Sequence, residues 1–243
     1  MRITLEFLSE SKVTLPIHYN ELIHGFLYNH LDKVLASFLH EEGYKFEKRK
    51  YPFFTFSRIL GKARIKENLI EFSPPLKIVI SSPLEKILRS LAKHLLRAKE
   101  IKIGKNPLYL NSITVGFKPN IKEEMKIRML SPVTVYSTLK TGEGKKKTYF
   151  YNPQEKEFSF QIKNNLIKKY MALKGEEPSE TEFDITPLTF KKENEKIVKF
   201  KGFIVKGWMG KYLIKGAKDL LLLAYDSGIG AKNSLGFGCF EII

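Results

Sequence analysis

The chain is poor in cysteine. Cys239 is the only one, which excludes an intramolecular disulfide and any cysteine-built metal cluster. Long apolar runs are missing as well. The most apolar short stretch, Leu220–Tyr225, falls far short of the roughly 20 residues that cross a bilayer, so no membrane partner is expected. No leader-like segment precedes the first strand pattern, in which Ile3, Leu5 and Phe7 alternate with Arg2, Thr4 and Glu6. The expected compartment is the cytoplasm. Histidine is scarce, with five in the chain; His18, His24, His30 and His94 stand in no metal-ligand spacing and read as surface or packing side chains. No metal and no cofactor are expected.

Negative charge is in short supply. Against 26 Asp and Glu stand 42 Lys and Arg, a net charge of +16. Residues 1–123 carry 21 basic and 12 acidic side chains, and residues 124–243 carry 21 and 14. The excess is therefore spread over folded material and is not confined to a tail. That distribution favours a nucleic-acid surface. The competing reading is a heat-adapted surface in which Lys and Glu both rise. A hydrophobic content of 43% can fill a substantial core, and the length fits one large domain or two of ordinary size.

The first half reads as strand, helix, strand, strand, helix, strand. Residues 2–8 form the first strand. Asn20 reads as an N-cap for a helical pattern through Leu22, Ile23, Phe26 and Leu27, and then Val34, Leu35, Phe38 and Leu39, which Asp32 splits in two. Strands are expected near 53–60 and 68–80, the second interrupted at Pro74-Pro75. Pro83 opens a helix whose apolar face includes Ile87, Leu88, Leu91 and Leu95, and a strand near 108–117 follows. The second half repeats the order. Strands near 125–138 lead to the lysine-rich loop 142–147 and a helix near 153–173. Strands near 181–190 and 197–208, a helix near 215–226 and a terminal strand complete it. The expectation is an α+β fold of two tandem ferredoxin-like βαββαβ domains, residues 1–123 and 124–243. A single irregular α+β domain is the alternative.

The end of the chain holds its densest motif. Gly228-Ile229-Gly230 and Gly236-Phe237-Gly238 bracket Ala231-Lys232-Asn233-Ser234-Leu235. Glycine permits left-handed backbone angles and close backbone approach. Two such triplets around Lys-Asn-Ser can present N–H groups and a cation to a phosphate chain. The loop follows a helix and precedes a strand, so it is not the dinucleotide fingerprint, and it lacks the ending of a Walker loop.

The glycine loop, the doubled element order and the basic charge together resemble the CRISPR repeat-processing endoribonucleases of the RAMP superfamily, the sixth Cas family. Gly25-Phe26-Leu27-Tyr28-Asn29 and Leu39-His40-Glu41 resemble that family's N-terminal active-site region, and Leu130-Ser131-Pro132-Val133 resembles the start of its second unit. The resemblance implies metal-independent cleavage of CRISPR precursor RNA within the repeat. The 2′-hydroxyl attacks the adjacent phosphate and leaves a 2′,3′-cyclic phosphate and a 5′-hydroxyl. It implies a Tyr, His and Lys set. Tyr28 and His40 match by context. Lys45, Lys48 and Lys50 are all candidates for the lysine, and Lys50 is chosen because it precedes the Phe53–Phe56 strand. CRISPR repeat RNA is the implied partner, with effector-complex subunits as further partners, and the chain is expected as a monomer or homodimer. The alternative within the resemblance is a subunit that holds guide RNA without cutting it.

In-line attack needs a proton removed, a proton delivered to the leaving 5′-oxygen, and charge stabilised on the phosphorane. A histidine can do either proton job near neutral pH. His40, at a helix end before Glu41 and Glu42, is placed where its protonated form is favoured, which suits a general acid. Tyr28 is a poor base unless cations lower its pKa, and can instead orient the 2′-hydroxyl. Lys48, Arg49, Lys145, Lys146, Lys232, Asn233 and Ser234 are the expected RNA contacts.

Overall fold

The computed structural model describes residues 1–140, 142 and 144–243; Glu143 of the lysine-rich loop lies outside the described residues. The first half contains β1 (Arg2–Leu8), β2 (Val13–Pro16), α1 (Asn20–Asn29), α2 (Lys33–Ser37), β3 (Tyr44–Phe46), β4 (Arg49–Tyr51), β5 (Thr55–Phe56), β6 (Leu60–Lys66), β7 (Leu69–Ser81), α3 (Glu85–Arg97), β8 (Ile101–Ile103) and β9 (Asn106–Val115). The second half contains β10 (Glu124–Met129), β11 (Tyr136–Lys140), β12 (Lys146–Phe150), α4 (Lys156–Lys174), β13 (Phe183–Pro187), β14 (Glu195–Phe200), β15 (Phe203–Trp208), β16 (Lys211–Gly216), α5 (Lys218–Ser227) and β17 (Phe240–Ile242).

The fold is mixed α+β and its sheets are antiparallel. In the first sheet β6, β7, β1 and β9 lie side by side. In the second, β13, β16, β10 and β17 do the same. Helices join the first strand to the second and the third to the fourth in both halves. That connection pattern is consistent with two ferredoxin-like units. Each sheet buries alternate residues against its helices, as a period of two requires. Ile3, Leu5 and Phe7 of β1 meet Ile87, Leu88, Leu91 and Leu95 of α3 in one core. Ile127 and Ile214 meet Phe158, Ile162 and Leu220 in the other.

The halves are knitted together. Arg2 stacks its guanidinium 3.7 Å above the Tyr225 ring and donates to the Tyr225 carbonyl. Tyr51 and Phe53 pack on Leu223, and Val79 packs on Leu130 and Cys239.

Several elements differ from the sequence expectation. Strand β7 runs unbroken through Pro74 and Pro75. On one side β2 pairs only as far as Phe72 and β1 begins at Leu76; on the other, β6 shifts register between Leu60 and Lys62. The prolines thus sit where the ladder asks for no N–H. Residues 197–208 form a hairpin, not one strand, because Lys201 (φ 44) and Gly202 (φ 83) make the tight turn between β14 and β15. The segment near 125–138 is cut after Met129, where Leu130 and Ser131 donate to the Cys239 carbonyl. Asn20 is not an N-cap. Tyr19 holds that position, and the Asn20 amide instead donates to the carbonyls of Leu235 and Gly236. Asp32 does split the helix, accepting from the N–H groups of Val34 and Leu35.

Candidate active site and nucleic-acid cleft

The sequence Phe38-Leu39-His40-Glu41-Glu42 follows α2 as one wide π-helical turn, closed by the Gly43 N–H on the Phe38 carbonyl at 2.6 Å. Such turns often re-aim a side chain at a functional site. Here Leu39 is sunk in the core while His40 projects into solvent. Tyr28 stands near the end of α1, and its ring meets His40 edge to face, with centroids 6.1 Å apart. The split at Asp32 makes this possible, because it lets the chain fold back twelve residues later.

Lys50 completes the group. Its ammonium donates to the carbonyls of His40 and Glu41 at 2.9 and 3.0 Å, reaching across from β4. An ammonium has three hydrogens, so one remains for a third acceptor. The β3–β4 hairpin sets this up by placing Lys45 opposite Lys50 and turning through Glu47 and Lys48. Of the three candidate lysines, only Lys50 makes these bonds to the His40 turn.

The site's electrostatics depend on burial. Tyr28 is half-buried against Phe54, and burial pushes its phenol up to about 12. It is a neutral hydrogen-bond donor at ordinary pH. His24, one turn earlier on α1, lies with its ring 4.6 Å from that of Tyr28 and edge-on to Phe200 of β14. Burial, then the nearby cation of Lys201, pushes it down to about 4, so it is a neutral imidazole. Sequence reading placed His24 among packing residues. The i, i+4 spacing to Tyr28 was the available signal.

A cleft of about 390 Å³ opens beside this group, between β4, β11, α4 and the glycine loop. Arg49, Lys50, Lys232, Asn233 and Ser234 line it, so five of the sequence candidates converge. The Lys232 ammonium sits 5.0 Å from the centre of the Tyr136 ring. Lys48 is exposed at the hairpin turn. Lys145 and Lys146 lie exposed at the far end of the β11–β12 hairpin and do not line this cleft.

The glycine loop itself is largely internal scaffolding. Gly238 has φ 78, and a side chain there would run into the Ile229 carbonyl; one at Gly230 would run into the Thr134 carbonyl. Asn233 is buried, and its amide donates to the carbonyls of Ile229 and Phe237 at 3.0 Å each. These two bonds make Asn233 a brace that holds the two triplets together at the edge of the cleft it lines. Thr55 and Asn20 fasten the loop to the first half. Lys169, on the face of α4 and 3% exposed, donates to the carbonyls of Gly228 and Gly230 at 2.7 and 3.2 Å. Burial alone lowers it to about 7. A lysine in the middle of α4 carried no sequence signal for this role. Among the described residues no three His, Cys, Asp or Glu side chains gather as a metal site would need.

Comparison with known proteins bears on this arrangement. Relatives include a CRISPR-associated endoribonuclease Cas6 of Pyrococcus furiosus, 29% identical over 100% of this chain and 90% of its own. Another is the CRISPR-associated endoribonuclease Cas6 1 of Methanocaldococcus jannaschii, 26% identical over 98% of this chain and 91% of its own. A solved structure described as an RAMP protein binding different RNA substrates superposes with a TM-score of 0.85 at 25% identity, covering 100% of this chain and 99% of that one. The model of the Cas6 C-terminal region matches residues 117–242, which contain α4, α5 and the whole glycine loop. With more than half of the sequence matched by that family model, the chain belongs to the CRISPR-associated Cas6 family.

Proposed function

We propose that this protein is a metal-independent endoribonuclease that cleaves CRISPR precursor RNA within the repeat. Residues 1–123 carry the reacting side chains and residues 124–243 supply the glycine loop. One observation carries the reading: the rings of Tyr28 on α1 and His40 meet with centroids 6.1 Å apart, and the Lys50 ammonium holds the His40 turn by two carbonyls.

The 2′-oxygen attacks the adjacent phosphorus as its proton leaves to water, and the bond from phosphorus to the 5′-oxygen breaks. The products are a 2′,3′-cyclic phosphate and a 5′-hydroxyl. Exposed His40 gives a proton to the leaving 5′-oxygen. Neutral Tyr28 donates a hydrogen bond that orients the reacting group. Its high pKa argues against a phenolate base. The third N–H of Lys50 reaches a phosphate oxygen, where charge builds up as the bond order changes. Arg49, Lys232 and Ser234 grip the backbone along the cleft, with Lys48, Lys145 and Lys146 as outlying contacts.

The test is cleavage of labelled repeat RNA from the source genome in excess EDTA. The wild type is expected to make one cut, lost on a 2′-deoxy substitution at the cut site and reduced at least a hundredfold in His40→Ala, the usual scale for a general acid. Sequence-selective binding without a cut would replace this reading by that of a guide-RNA-holding subunit.

A further inference from the structure

We infer that the cleft between β4, α4 and the glycine loop receives one unpaired nucleotide of the RNA, and that Asn165 reads its base. The inference rests on the RNA-binding reading above and names a specificity residue for it.

Asn165 lies on the cleft-facing side of α4, one turn before Lys169, and is 7% exposed. Its carboxamide oxygen has no hydrogen-bond partner among the described residues. Buried polar groups are nearly always paired, because an orphan forfeits the hydration it had in the unfolded chain. A half-turn of the amide exchanges its oxygen and nitrogen without moving the rest of the side chain, so either atom can face the cleft. Tyr51 lines the same cleft from the other half. It is 8% exposed; its hydroxyl makes no hydrogen bond of good geometry among the described residues, and the Arg49 guanidinium is the charged group beside it. An orphaned carboxamide and a poorly satisfied hydroxyl from opposite halves thus border one cavity.

The surroundings specify what fills it. Arg49, Lys50 and Lys232 line the cleft, and no acidic side chain among the described residues does. That charge selects an anion. The cleft's 390 Å³ falls in the range of small-ligand sites. A carboxamide offers an acceptor and a donor side by side, the complement of a base edge with an exocyclic amine beside a ring nitrogen, as in adenine or cytosine. Single-stranded RNA is read in this way, with unstacked bases hydrogen-bonded on their edges. A phosphate-bearing nucleotide satisfies the cations and the orphaned amide together.

The probe is repeat RNA made uncleavable by a 2′-deoxy nucleotide at the cut site. A panel of copies replaces each flanking nucleotide in turn by an abasic one. Filter binding is expected to find one position where base loss weakens wild-type affinity about tenfold, the scale of one or two lost hydrogen bonds. Asn165→Ala binds the intact RNA about tenfold more weakly and loses its sensitivity at that position alone. Tyr51→Phe removes only a hydroxyl that makes no hydrogen bond of good geometry, so it folds normally, and it weakens binding of the intact RNA with the same position dependence. A wild type with no sensitive position overturns the inference. So do variants that fold and keep the wild-type pattern, and should Asn165→Ala misfold, Tyr51→Phe decides alone. Cleavage of unmodified RNA is read in parallel. Position-specific binding without cleavage defeats the nuclease reading and sustains this one; cleavage with no Asn165-dependent position does the reverse.

Discussion

Replacing Lys169 with methionine should flatten the alkaline rise in stability. The amine sits inside the protein with no carboxylate partner among the described residues, and burial lowers it from its ordinary 10.5 to about 7. Between those two values the unfolded chain binds more protons than the folded one. Stability therefore rises with pH across that window, and the burial penalty is complete only below pH 7. Working the linkage from pH 7 to pH 10 gives a gain of about 3 kcal/mol in the wild type that the methionine variant lacks. Absolute stability at a single pH is a poorer measure, because the variant also strands the Gly228 and Gly230 carbonyls that Lys169 now satisfies. The assay is urea denaturation of both proteins at pH 7, 8, 9 and 10. Other alkaline titrations cancel in the difference between them. Two curves running parallel across that range would refute the placement of an uncompensated amine under the glycine loop.

Three further outcomes follow from the site. Gly238→Ala should lower unfolding free energy by about 3 kcal/mol or more, since it adds left-handed strain to a clash with the Ile229 carbonyl; urea midpoints measure it. Lys50→Ala should leave stability within about 1 kcal/mol, because its bonds are exposed, yet cut single-turnover cleavage by at least tenfold with KM little changed; equal loss in KM would make Lys50 a binding residue only. RNA affinity should fall with salt, with a slope of log K on log salt near −2 if Arg49, Lys50 and Lys232 each neutralise one single-stranded phosphate. Lys232→Ala should shallow that slope by about 0.7.

What could be read in advance divides along physical lines. Long elements with strong local period, such as the β1 alternation and the α3 stripe, report their own burial, because the side chains that pack are near in sequence. The split at Asp32 was legible for the same reason: a short polar side chain caps the helix two and three residues on. The hairpins β3–β4 and β14–β15 were not legible. Their turns at Glu47 and Lys201 use positive φ on residues that do not advertise it, and charged exposed strands carry little alternation. The Pro74-Pro75 pair misled because its tolerance depends on where β1, β2 and β6 end, which is a property of the assembled sheet.

The site shows the same boundary more sharply. Tyr28 and His40 were nominated by the family resemblance and Lys50 only by its place before the Phe53–Phe56 strand, yet nothing in those residues foretold that Lys50 would hold the His40 turn by its carbonyls. The glycine loop was legible as a constraint on the backbone. Its four glycines are demanded by close approach to Thr134, Ile229, Phe56 and Thr55, and its asparagine points inward. The polar side chains that line the cleft gather around the loop's edge: Lys232 and Ser234 on the loop, Arg49 and Tyr51 across the cleft, and Asn165 on α4. Each comes from a different stretch of chain, so no local motif could gather them. In a fold built of two tied halves, the scaffold is written in local motifs, while the cleft between the halves is lined by residues far apart in sequence.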